Sequence, residues 1–130
     1  YTSDNTNERG DLWNDEDLSL FSRDQQDNPS DLNSGGRALE SAVRPFAMRT
    51  AGEPLVARFE PLSGRFEFKF NGDPTVTAPT EIFFPALHYP HGAEINLSDG
   101  SVEIDVANQI LRYKLGDLDV HHITFSPKKR

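Results

Sequence analysis

The sequence contains no cysteine, and its 130 residues include a single tryptophan and a single methionine. Without cysteine there is no disulfide, no thiolate nucleophile and no cysteine-ligated zinc, which is compatible with a reducing, intracellular setting. No run of about 18 apolar residues exists, so a transmembrane helix is excluded. Positive charge is scarce as well: 13 Lys and Arg stand against 21 Asp and Glu, a net charge of -8. Binding a phosphate backbone or an anionic membrane surface needs clustered Lys and Arg, so no nucleic-acid partner is expected. The chain opens at Tyr1, without Met and without a signal-like apolar run, so a fragment of something longer is the expectation.

What is present is enough for one domain with a sizeable core: 35% of residues are hydrophobic and nine are Phe. These are unevenly placed. From Leu55 onward the chain falls into short alternating runs separated by turn residues. Arg65-Phe66-Glu67-Phe68-Lys69-Phe70 alternates strictly and puts three Phe on one face. Leu55–Glu60, Thr80–Phe84, Glu94–Leu97, Val102–Val106, Gln109–Leu115 and Val120–Phe125 read as further strands. Asp99-Gly100 lies between two of them, which predicts a hairpin. The spacing predicts an antiparallel β-sandwich over residues 51–130. Its inward positions are expected at Phe66, Phe68, Phe70, Ile82, Ile95, Ile104, Val106, Leu111 and Ile123.

Residues 1–50 differ, with ten acids, five bases and long polar runs. Asn14 can cap a short helix whose first turn holds Asp15, Glu16 and Asp17. Residues 22–36 read as a mobile loop of low hydrophobicity. Ala38, Leu39, Ala42, Val43 and Phe46 fall at helical spacing, predicting a helix over 36–44 with one buried face. Pro45 disfavours helical backbone at Arg44 and ends it.

Chemistry is sparse in the strand-rich part. No nucleophile elbow, phosphate loop, zinc motif or calcium-loop pattern occurs. His88 and His91 are three apart, a ligand spacing in a helix, but Pro85, Pro90 and Gly92 put them on a loop and no metal is expected. His121 and His122 are neighbours in a strand, so they point to opposite faces and cannot chelate one ion. Glycoside hydrolysis usually takes two carboxylates. Glu67, Glu81, Glu94 and Glu103 sit where solvent-facing strand acids are expected, and nothing singles out a catalytic pair. The stretch Tyr1 to Asn14 mixes Tyr, Trp13 and short amides and acids, the chemistry of a sugar site: an aromatic face for C–H groups and planar polar groups for hydroxyls. The alternative there is that Trp13 anchors a loop to a core.

Several segments, in order along the chain, resemble one family. Tyr1-Thr2, Asp4-Asn5, Gly10–Ser19, Gly36–Leu39 and Val43–Ala47 resemble the end of the barrel in glycoside hydrolase family 5, in its endoglycoceramidase-like branch. That branch includes fungal steryl-β-glucosidases and glucosylceramidases. Gly52–Leu55, Ala78–Pro85, Leu87–Pro90 and Ser98–Gly100 are similar to the β-sandwich that follows the barrel. The resemblance implies a mainly β chain: residues 1–50 close a (β/α)8 catalytic barrel as its eighth loop and helix, and residues 51–130 form a C-terminal β-sandwich. It further implies a retaining β-glucosidase of glycolipids that needs no cofactor, located in the cytoplasm or vacuole. Its catalytic glutamates would lie upstream of Tyr1, so no residue here inherits a catalytic role. The implied partners are the upstream barrel and the glycolipid, with Tyr1, Asn5 and Trp13 at the substrate-site rim. The competing class is an autonomous sandwich that binds carbohydrate or protein. Such modules commonly expose several aromatics in a row, whereas the Phe residues here alternate inward.

Overall fold

The computed structural model describes residues 20–130. Two compact units meet in sequence between Ala42 and Val43.

In the first unit, the described chain is a loop closed at its neck. Ser22 N–H donates to Gly35 O at 2.8 Å, and Arg37 N–H donates to Leu20 O at 2.9 Å. Inside it, a short 3-10 turn spans Arg23–Gln25. Side chains then fold the loop on itself: Asn28 accepts from Ser30 N–H at 3.1 Å and Asp31 from Asn33 N–H at 2.9 Å. The expected helix over 36–44 is much shorter. Only α1, Leu39–Ala42, is helical. Gly36 bridges to Phe21, and Ala38 sits at φ 48°, a left-handed conformation that keeps the helix from starting before Leu39. The anticipated buried face is also absent, since Ala38, Ala42 and Phe46 are exposed.

The second unit is the antiparallel sandwich. Its strands are β1 (Ala47–Arg49), β2 (Gly52–Glu60), β3 (Arg65–Gly72), β4 (Thr80–Phe83), β5 (Ala93–Leu97), β6 (Ser101–Asp105), β7 (Ile110–Lys114) and β8 (Val120–Pro127). One sheet has the order β1-β4-β7-β6 and the other β2-β3-β8-β5. All seven strands read from the alternation are present. β1 adds an eighth and sets the start of the sandwich ahead of residue 51, where the sequence pattern had put it.

The core follows from register. Phe66, Phe68 and Phe70 on β3 face Phe125, Ile123 and His121 on β8, while Ile82 on β4 faces Leu111 on β7. Phe84 and Tyr89 stack at 4.7 Å, and Tyr89 meets Phe125 edge-on at 5.1 Å. Burying each such side chain stabilises the fold by about 1.5–3 kcal/mol. Ile95 and Ile104 are half-buried, packed against this core. Val106 is 76% exposed, against expectation. Asp105 ends the strand there: its carboxylate accepts from Asn108 N–H at 3.1 Å and Asn108 Nδ2 at 2.9 Å, closing a turn that carries Val106 outward.

Asp99-Gly100 is no hairpin. β5 and β6 lie in different sheets, so this turn carries the chain across the sandwich. Gly100 is needed there at φ +76°, and a Cβ would strike Lys114 O and the Tyr113 ring.

Candidate functional site

The crossing at Asp99 organises the most developed polar group among the described residues. Asp99 Oδ1 lies 2.8 Å from His121 Nδ1, 3.0 Å from Tyr113 Oη and 2.8 Å from Ser98 Oγ. Its Oδ2 accepts from Leu118 N–H at 3.1 Å. Burial acts to raise the Asp99 pKa, but hydrogen bonds from His121, Leu118, Ser98 and Tyr113 prevail and lower it from 3.8 to about 2. Asp99 is therefore ionised near neutrality and acts as acceptor, so His121 holds its proton on Nδ1. Tyr113 donates to Asp99, and burial followed by that carboxylate pushes its phenol up. His121 and Tyr113 are both almost fully buried. The cluster thus ties the loop after β5, strand β7 and strand β8 together across the two sheets.

One side of it opens outward. His121 lines a cleft of about 490 Å³ between the 72–79 segment and the 114–119 segment. The other ring nitrogen, Nε2, faces Gly72, where a Cβ would come within 2.5 Å of it. Gly72 thus leaves room for the ring.

His122 points the other way, as neighbouring strand positions require. Its Nε2 meets Glu67 Oε2 at 3.0 Å on the outer face. That bond is the main cause of a lowered Glu67 pKa, opposed by burial and aided by Arg65. His88 Nε2 donates to Val43 O at 2.7 Å and its ring meets Phe59 edge-on at 4.9 Å, while His91 is exposed. The loop-histidine reading of that motif fits both. Among the described residues no three His, Asp or Glu side chains are grouped to hold a metal.

The four strand carboxylates do not form a pair. Glu67 and Glu94 belong to one sheet and Glu81 and Glu103 to the other, the last two in register on either side of Arg112. Tyr1, Asn5 and Trp13, the expected sugar contacts, lie outside the described residues, as does the helix capped by Asn14. Sequence reasoning missed the Asp99–Tyr113–His121 cluster. The available signal was alternation in β8, which puts His121 on the face of Ile123 and Phe125. A histidine committed to a core implies a polar partner there.

Residues 44–124 match the family described as the glycoside hydrolase family 5 C-terminal domain. A glucosylceramidase of Rhizopus delemar is 35% identical over 98 residues, covering 65% of this chain and 14% of that protein. An endoglycoceramidase I of Rhodococcus hoagii is 39% identical over 71 residues, covering 55% of this chain and 14% of its own length. The crystal structure of Cryptococcus neoformans sterylglucosidase 1 superposes on 98% of this chain with a TM-score of 0.77 and 31% identity, using 21% of that protein. The chain therefore spans between about a seventh and a fifth of the relatives it matches.

Proposed function

Because the chain belongs to glycoside hydrolase family 5 through its C-terminal domain, we propose that it serves as the C-terminal portion of a retaining β-glucosidase that cleaves glycolipids. The substrate class is a steryl β-glucoside or glucosylceramide. The carrying observation is the match to sterylglucosidase 1 over 98% of this chain but only 21% of that protein, which supports reading this chain as one part of a larger enzyme.

In this reading a preceding (β/α)8 barrel carries the acid/base and nucleophile carboxylates. Residues 1–50 complete that barrel, and the protein works in the cytoplasm or vacuole. The sandwich then contributes support. Phe46 at 54% exposure and Leu55 at 52% leave apolar surface near the entry of the chain, suited to packing against the barrel. Tyr1, Asn5 and Trp13 supply rim contacts: the rings stack on the sugar or the lipid, and the amide bonds hydroxyls.

The test compares the 130-residue chain with the longer parent protein on steryl glucoside and glucosylceramide side by side. Hydrolysis by the parent and none by the short chain is expected, and the preferred glucoside identifies the aglycone. A parent inactive on both substrates, or a chain that occurs in its source only at 130 residues, would overturn the reading.

A further inference from the structure

The cleft beside His121 is a second feature, independent of the glycosidase reading. Its floor is a histidine 1% exposed, whose ring is held by the 2.8 Å contact of Nδ1 with Asp99. The Nδ1–H donated to Asp99 leaves Nε2 as the ring atom able to accept a hydrogen bond, next to Gly72 and the cleft. Gly72 lets the ring sit at the cleft wall, since any Cβ there would come within 2.5 Å of Nε2. A structural pin needs only Nδ1. Nε2 has no hydrogen-bond partner among the described residues.

The remaining walls define what fits. Lys114 supplies an ammonium donor, Asp117 and Asp119 supply carboxylate acceptors, and Thr77 supplies a hydroxyl that does both. Val76 and Leu118 add apolar surface. Two carboxylates disfavour an anion, and the ammonium disfavours a cation. Hydroxyl groups both donate and accept, so they match a wall that mixes the two, and they can donate to a nitrogen lone pair. A cleft of about 490 Å³ falls in the ordinary range for small-molecule sites.

We propose that this cleft binds a neutral, hydroxyl-rich small molecule of monosaccharide or cyclic-polyol size, with one hydroxyl donating to His121 Nε2. Asp99 acts as the positioning residue that fixes the ring and its tautomer. The site lies wholly within residues 72–121, so it is testable on the chain as it stands.

The experiment titrates D-glucose and myo-inositol into the 130-residue chain at neutral pH, following the His121 ring and the amides of Gly72 and Gly116 by NMR. Ethanolamine serves as a cationic rival. Saturable shifts confined to those groups are expected with at least one polyol and not with ethanolamine. Lys114→Ala and Asp119→Asn change exposed side chains and should each weaken binding about three- to tenfold with folding unchanged, the worth of one hydrogen bond. Gly72→Ala, where it folds, should abolish the shifts. The proposal is overturned by no saturable shift up to about 100 mM polyol, by shifts with ethanolamine alone, or by unchanged affinity in both surface variants. None of these outcomes bears on whether the parent protein hydrolyses a glycolipid.

Discussion

Replacing Asp99 by alanine is the most direct way to test how the two sheets are held. The substitution removes the carboxylate that takes hydrogen bonds from His121, Tyr113, Ser98 and Leu118. Tyr113 keeps a partner, because its hydroxyl also donates to Asp99 O at 2.9 Å. Ser98 and the Leu118 amide have access to water. His121 Nδ1 is buried and keeps only the Tyr113 hydroxyl at 2.9 Å, so its charge-assisted bond to Asp99 is the main loss, with a smaller contribution from the others. A hydrogen bond to a charged group contributes about 1.5–3 kcal/mol, so the total cost should be about 2–4 kcal/mol. At roughly 4–8 °C per kcal/mol for a domain of this size, the thermal midpoint should fall by roughly 8–32 °C. Urea unfolding followed by circular dichroism measures the cost. Asp99→Asn retains a carbonyl acceptor and should cost about half as much. The pH dependence carries a sign. The folded-state pKa of about 2 is below the ordinary 3.8, so the carboxylate's contribution is complete above 3.8 and disappears as pH falls toward 2. The stability gap between wild type and Asp99→Asn should therefore narrow on acidification through that window. An alanine variant within about 0.5 kcal/mol of wild type, or a gap that stays constant into acid, would refute the reasoning.

Phe68→Ala should cost about 3–5 kcal/mol, because the ring is buried between Phe66 and Phe70 and opposite Ile123; chemical denaturation checks this. Gly100→Ala should destabilise by more than about 1 kcal/mol through its positive φ and the collision with Lys114 O, read as a drop in the thermal midpoint. Hydrogen exchange should be slow at the Ser22 and Arg37 amides that close the loop neck and fast at the exposed turn residues 30–32, and uniform protection across the loop would contradict this. On the proposed function, Trp13→Ala in the longer parent protein should lower turnover or raise KM with little loss of folding. An unfolded variant with normal activity per folded molecule would make Trp13 a core anchor instead.

The strands were legible because alternation is a local property. β3 writes its inward face directly as Phe66, Phe68 and Phe70, and β8 does the same with Ile123 and Phe125. What the pattern could not carry is which sheet a strand joins. Asp99-Gly100 has the residues of a two-strand turn, yet the partners of Asp99 come from β7 and β8, and these pull the chain across rather than back. Val106 looked inward by period alone, and a side-chain turn at Asp105 overrode it. β1 is three residues long, too short to show a period. The helix over 36–44 failed for a backbone reason, the left-handed Ala38, that side-chain spacing does not report. The buried His121 was readable as a face, and its acid partner was not, since contacts 22 residues apart leave no local mark.

The position of β8 has a consequence for synthesis. It is last in the chain but sits inside its sheet, between β3 and β5. Until Val120–Pro127 has been made, β3 and β5 each present a bare row of amides and carbonyls, and the Phe66, Phe68 and Phe70 rings lack their cover. A nascent chain that stalls, or a message cut before Val120, therefore yields a product with two open edges and an uncovered aromatic ridge, suited to joining other chains. Such a product lacks the one strand that joins β3 to β5, on which the whole sheet waits.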